Sequence, residues 1–167
     1  SKSRYIKKII FGSSCSVYGN TLKKKFNETD EIKVEYPYGI SKYLTDCHLN
    51  LISKYNKKIK FFSLRQGTVS GYSPRMRFDL VINKMTRDAM FTKKISVYDM
   101  HANRPILDIR DAVNIYHKVL SNKKIQSGIY NLFSYNTNIK VLSSAISNFI
   151  KNKLLSLIHI SEPTRLI

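Results

Sequence analysis

Phe11-Gly12-Ser13-Ser14-Cys15-Ser16-Val17-Tyr18-Gly19 and, further along, Tyr36-Pro37-Tyr38-Gly39-Ile40-Ser41-Lys42 are the two stretches around which the chain is organised. The first reads as an apolar strand running into a hydroxyl-rich turn. The second reads as the start of a helix, with Pro37 in the first turn, where its missing N–H costs nothing. Tyr38 and Lys42 are four residues apart, which at 3.6 residues per turn leaves their side chains about 40° apart on one helix face. A phenol, an ammonium and a serine hydroxyl gathered at a strand end make a proton-transfer site.

Outward from this pair the pattern alternates. Residues 5–11 are β-rich and almost continuously apolar around Lys7-Lys8, as a buried parallel strand should be. Residues 20–36 are polar and acidic and read as a long surface loop. From Pro37 to about Lys54, Ile40, Leu44, Cys47, Leu51 and Tyr55 recur at spacings of three and four, which predicts a core-facing stripe with Tyr38 and Lys42 beside it. Residues 58–65 are a second strand and 66–77 a loop. A helix then follows with Asp79 near its start, and residues 95–98 form a short strand. His101–Pro105 reads as a turn and Ile106–Arg110 as a strand. Asp111 reads as the cap of the next helix, Gly128–Phe133 as the last strand, and Val141 to about Lys153 as the last helix. Alternating strands and helices predict an α/β fold with a parallel sheet.

The chain has 167 residues, 43% of them hydrophobic and 24% charged, which suits one domain with a real core. No apolar run approaches the ~18 residues that span a bilayer, and no signal-peptide pattern opens the sequence. Two cysteines, Cys15 and Cys47, have no C-x-x-C spacing, so a reducing, cytoplasmic setting with free thiols is expected. Four scattered histidines give no metal-ligand spacing, and no metal is expected. A formal charge of +18 would ordinarily suggest nucleic acid. The lysines, however, come in twos and threes along the whole chain without interleaved aromatics, and read as solvated surface that can also attract a small anionic ligand. A non-catalytic, basic nucleic-acid-binding module is the alternative from another class.

Four motifs occur in order: Ser13-Ser14-Cys15-Ser16-Val17-Tyr18-Gly19; Tyr38-x-x-x-Lys42; Leu64-Arg65-Gln66-Gly67-Thr68-Val69-x-Gly71; and Arg104-Pro105-Ile106-Leu107-Asp108-Ile109-Arg110-Asp111. Together they resemble the extended short-chain dehydrogenase/reductases, in the NAD-dependent epimerase/dehydratase branch that acts on nucleotide sugars. The resemblance covers about residues 5–150. It implies the C-terminal part of a Rossmann-type sheet plus a small α/β substrate lobe, with the catalytic part at about 5–72 and the lobe at about 73–153. It also implies NAD or NADP as cofactor, a nucleotide sugar as substrate, no nucleic acid or membrane partner, and a homodimer.

By the same resemblance, Ser14 holds the sugar hydroxyl, Tyr38 takes its proton, and Lys42 binds the nicotinamide ribose and lowers the tyrosine pKa. Arg104 is implied to reach the pyrophosphate. From the residues themselves, Arg75 and Arg77 border the 66–77 loop as candidates for further phosphate contacts, Asn83 reads either as a nucleotide contact or as a helix-surface amide, and Gly67 and Thr68 sit at a strand's carboxyl end, where open α/β sheets bind ligands, here the cofactor. Tyr18-Gly19 reads as packing plus a turn. A free phenol has pKa about 10, and lowering it by ~3 units takes ~4 kcal/mol, which two neighbouring positive charges in a partly desolvated cleft can supply. Each residue also has a plainer reading: Tyr38 as an interfacial core residue, Ser14 as a turn or capping hydroxyl, Arg104 as a surface guanidinium.

Two departures from the family pattern shape the expectation. The six glycines form no Gly-rich phosphate turn, so the chain is read as a fragment that begins after the first nucleotide-binding half and does not turn over alone. Where the sugar 4,6-dehydratases carry an acidic pair after the hydroxyl residue, this sequence has Cys15 and Ser16. That favours epimerisation through transient oxidation over dehydration, with a nucleotide-sugar reductase or dehydratase as the alternative within the family. Residues 154–167 lose the lysine-rich character and read as a non-native tail with no element left to pair.

Overall fold

The computed structural model describes residues 6–19, 25–154 and 158–159. Lys8–Ser14 (β1), Lys60–Gln66 (β2) and Gly128–Leu132 (β6) form a parallel sheet in the order β1-β2-β6. Between these strands the chain places helix α1 (Pro37–Tyr55) and then Thr68–Ser70 (β3), Val81–Thr92 (α2), Lys94–Ile95 (β4), Asn103–Asp108 (β5) and Ile109–Ser121 (α3). After β6 come Tyr135–Asn138 (β7), Ile139–Leu154 (α4) and Ile158–His159 (β8). A second sheet has the order β3-β5-β7, parallel between β3 and β5 and antiparallel between β5 and β7. No helix among the described residues is long and apolar enough to cross a membrane.

Strand β5, in the second sheet, contributes to both clusters of the core. Side chains alternate along a strand, so adjacent Ile106 and Leu107, both fully buried, enter different clusters. Ile106 packs with Met85, Ala89 and Leu142 from α2 and α4, while Leu107 packs with Phe62, Leu64, Leu132 and Val119 between the first sheet and α3. β6 lies in the first sheet and β3 in the second, so the strands do not sort into the two sheets by a single cut near residue 72.

Helix α1 corrects the sequence reading. The stripe Ile40, Leu44, Cys47, Leu51 and Tyr55 faces outward, with Leu44, Leu51 and Tyr55 more than half exposed. The buried face is Gly39, Asp46 and Leu49, flanked by half-buried Lys42, Tyr43 and Ser53. The reason lies in β2: Phe62 and Leu64 face α3, while buried Ser63 and Arg65 face α1 and require a polar partner.

Smaller corrections have local causes. The cap of α3 is Asp108, whose side chain accepts from Arg110 N–H, and Asp111 sits inside the first turn, bonded to the Ser134 hydroxyl. Asn103–Pro105 belong to β5 rather than to a turn, because β7 pairs with them, and the strand expected at 95–98 is confined to Lys94–Ile95. Ile158–His159 pairs in parallel with β4, so this part of the expected tail does find a partner. Its residues 155–157 and 160–167 lie outside the described residues, as do residue 5 of the first expected strand and residues 20–24 of the expected loop.

The orientation of α1 is directly measurable. Leu49→Ala is expected to lower stability in urea unfolding by about 2–3 kcal/mol, as a truncated buried leucine does. Leu51→Ala, on the outward face, is expected to cost less than about 1 kcal/mol. The reverse order would mean that the helix is turned the other way.

Candidate active site

A cleft of about 710 Å³ opens at the carboxyl ends of β1, β2 and β6, where open α/β sheets bind their ligands. Ser14, Tyr38, Lys42, Gly67, Thr68, Arg77 and Arg104 all line it. Ser14 ends β1, and its Oγ accepts the Ser16 N–H at 3.2 Å, capping the short 3-10 turn Cys15–Tyr18. The capping role foreseen as its plainer reading is therefore real, and the hydroxyl proton is still available to a ligand. Lys42 Nζ donates to the Gly12 carbonyl at 2.8 Å and stands 4.8 Å from the Phe11 ring centre and 5.5 Å from that of Tyr38. An ammonium thus stands between the strand end and the Tyr38 ring. Tyr38 itself is 58% exposed, so it is not a core tyrosine.

The arginines divide. Arg104 is exposed and has no ion pair among the described residues. Arg77 is forked onto Asp79, whose hydrogen bond raises the guanidinium's pKa and lowers that of the carboxyl. Arg75 is exposed and outside the cleft. Asn83 is also outside it, buried, with Nδ2 donating to the Arg77 carbonyl at 3.1 Å.

Several cleft residues were not legible beforehand. Tyr18 is more than packing: its ring stacks on Phe26 (centres 4.6 Å apart), and its hydroxyl meets Asn131 Oδ1 at 2.7 Å and Arg65 Nη1 at 2.8 Å. Asn131 Nδ2 in turn donates to the Phe26 carbonyl at 3.1 Å. The available signal was polarity out of place, namely Arg65 and Asn131 inside otherwise apolar strands. Burial raises the Tyr18 pKa against the opposing Arg65 contact. Burial likewise pushes the Cys15 thiol up to about 12, and its Sγ donates to the Arg65 carbonyl at 3.1 Å. No carboxylate is among the described residues that line the cleft, which carries Lys42, Arg77 and Arg104.

The sequence profile of the NAD dependent epimerase/dehydratase family matches residues 1–132. The chain belongs to that family. Among solved structures, this family member is similar to the UDP-glucuronic acid 4-epimerase of Bacillus cereus, in complex with UDP-glucuronic acid and NAD. The identity is 25% and the TM-score 0.75, over 93% of this chain and 49% of that one. It also resembles the UDP-N-acetylglucosamine 4-epimerase of Methanobrevibacter ruminantium M1, in complex with UDP-N-acetylmuramic acid (20%, TM-score 0.74, 97% and 53%). A third similar structure is the dTDP-glucose 4,6-dehydratase of Bacillus anthracis str. Ames in complex with NAD (20%, TM-score 0.75, 93% and 50%). The chain spans about half the length of each of these structures.

The raised Cys15 pKa has a chemical consequence. With the thiol neutral below about 12, alkylation at pH 8 is expected to label exposed Cys47 first. Cys15 should lag by about 100-fold or more and gain about tenfold per pH unit, since only the thiolate reacts. Equal labelling of both, read by peptide mass spectrometry, would contradict the burial of Cys15.

Proposed function

We propose that this chain carries the reactive centre of an NAD-dependent nucleotide-sugar epimerase, which transiently oxidises a sugar hydroxyl. The observation that carries the proposal is the Lys42 ammonium, set between the Gly12 carbonyl at the strand end and the Tyr38 ring in the cleft that Ser14 also lines. Tyr38 would take the hydroxyl proton, with the neighbouring ammonium stabilising the resulting phenolate. Ser14 would hold the hydroxyl oxygen in place, since its own oxygen both donates and accepts. Arg104 would bind the anionic diphosphate through its guanidinium fork, and Arg77, itself forked onto Asp79, would add positive charge to the same cleft.

The residues present also fit a dinucleotide. Ser13 is one of the residues around the cleft, and its Oγ is buried without a hydrogen-bond partner among the described residues. Lys42 spends one of three donors on Gly12 and keeps the others for ribose hydroxyls. Gly67 and Thr68 flank the same space at the end of β2. NAD would supply, when bound, acceptance and return of the hydride from the oxidised carbon. With no carboxylate among the described cleft residues, and Cys15 and Ser16 after the hydroxyl residue, elimination of water has no acid–base pair; this favours epimerisation over dehydration. The outward apolar face of α1, with Leu44, Leu51 and Tyr55, supports a homodimer through a second copy of that helix.

Two measurements test this. In a protein carrying this chain together with a Gly-rich nucleotide-binding half, Tyr38→Phe is expected to lower turnover by at least about 100-fold, or about 2.7 kcal/mol. Nucleotide-sugar affinity should stay within about threefold. Retention of more than about a tenth of the rate would remove Tyr38 as the base. In the same protein, Leu51→Lys is expected to shift sedimentation from dimer to monomer; an unchanged species would place the contact elsewhere.

A further inference from the structure

β2 is the central strand of its sheet, and the side it turns to α1 is both polar and buried: Ser63 is 0% and Arg65 2% exposed. Asp46, equally buried on α1, accepts from Arg65 Nε at 2.9 Å and from the Ser63 hydroxyl. Asp46 lies four residues beyond Lys42 and eight beyond Tyr38, so the three stand in one row along the helix. Arg65 also reaches the other side of the cleft. Its Nη1 donates at 2.8 Å to Tyr18 Oη, in the turn that begins directly after Ser14.

Adhesion alone does not explain this arrangement. Buried ion pairs hold little net stability over apolar side chains of the same volume, which would attach α1 to β2 as well. What an apolar pair lacks is direction: a planar guanidinium fixes each partner along one of its N–H bonds. The Asp46 bond limits rotation of α1 about its axis and its slide along β2, while the Tyr18 bond holds the turn that aims Ser14.

We propose that Arg65 is a positioning residue that sets the two halves of the reactive centre against each other, Tyr38 and Lys42 through Asp46 and the Ser14 turn through Tyr18. The inference rests on the reading of those three residues as the reactive centre. Arg65 touches none of the reacting atoms; it acts through its two partners.

The test is chemical labelling of the 167-residue chain, which requires no turnover. Lys42, held on Gly12, reports the helix row; Cys15, bonded to the Arg65 carbonyl, reports the turn. Lys8, on the same sheet with its ammonium held by the Val119 and Leu120 carbonyls of α3, reports general loosening. Asp46→Asn is expected to raise Lys42 acylation about tenfold with Lys8 within about twofold, the pattern of local rather than global opening. Tyr18→Phe is expected to raise Cys15 alkylation about tenfold relative to Cys47, again with Lys8 unmoved. Unchanged Lys42 and Cys15, or a rise in step with Lys8, would overturn the proposal. Should Asp46→Asn not fold, Tyr18→Phe decides alone. Turnover retained in Tyr38→Phe would instead overturn the catalytic reading and leave the labelling result standing.

Discussion

The ion pair between Asp46 and Arg65 is the constraint on which the arrangement of the first sheet depends. Both side chains are nearly inaccessible, and removing one partner of such a pair typically costs about 3–5 kcal/mol because the other is left as an uncompensated buried charge. Burial opposes the charged form of Arg65, but the hydrogen bonds to Asp46 and Tyr18 outweigh it and leave its pKa raised. The guanidinium is therefore charged wherever the fold exists. The rest of α1 has to conform to it: Leu49 is buried one turn on, and Gly39 lets the start of the helix approach the 3-10 turn.

Two glycines show how close that approach is. A Cβ on Gly39 would stand 2.6 Å from Val34 Cγ2 and 3.1 Å from the Ser16 carbonyl oxygen, so the helix start, the preceding loop and the 3-10 turn meet without room for a methyl group. A Cβ on Gly67 would stand 2.6 Å from the Pro105 carbonyl oxygen. Gly67 lies where the chain leaves β2 for β3, and its N–H bonds to the Leu132 carbonyl at 2.9 Å. The two sheets can therefore converge at this corner, and the cleft lies between their ends. The same closeness brings Arg104 of β5 into one cavity with Lys42 of α1.

Legibility in the sequence followed how each residue announces itself. β2 and the span of α1 were legible because runs of apolar or helix-forming residues determine them locally. The grouping of Ser14, Tyr38, Lys42 and Arg104 was legible because four ordered motifs carried it. The rotation of α1 was not, since periodicity reads an apolar stripe as the core side, whereas here the core side is polar and satisfied by Ser63 and Arg65. That outward stripe has the composition of a buried face, so sequence periodicity cannot separate a core from a covering partner. Asp111 was mistaken for the cap of α3 because two aspartates lie three apart; only backbone geometry shows that Asp108 makes the bond, with the Arg110 side chain and N–H drawing its pKa down to about 2. Arg75 is suggested only by its place beside a loop, which says little about the direction of a side chain; it and Asn83, whose amide donates to the Arg77 carbonyl, do not line the cleft.

The electrostatics of the cleft narrow the proposed chemistry by elimination. Besides the Lys42 ammonium, the groups among its described residues able to hold or release a proton near a bound sugar are Cys15, Tyr18, Tyr38 and the serine and threonine hydroxyls. Burial keeps Cys15 protonated far above neutral pH, and burial likewise raises Tyr18, which is occupied with Arg65 and Asn131. Serine and threonine hydroxyls lose a proton only to a nearby base, and no carboxylate is present among these residues to act as one. Tyr38 is left as the exposed phenol, with the Lys42 ammonium, two of its three donors still uncommitted, beside its ring. An acidic residue at position 15 or 16 would add a second proton carrier and a negative charge opposing a phenolate in the same cavity. Cys15 and Ser16 add neither, so on this reading a single proton moves to and from one phenol, which suits an oxidation that is later reversed.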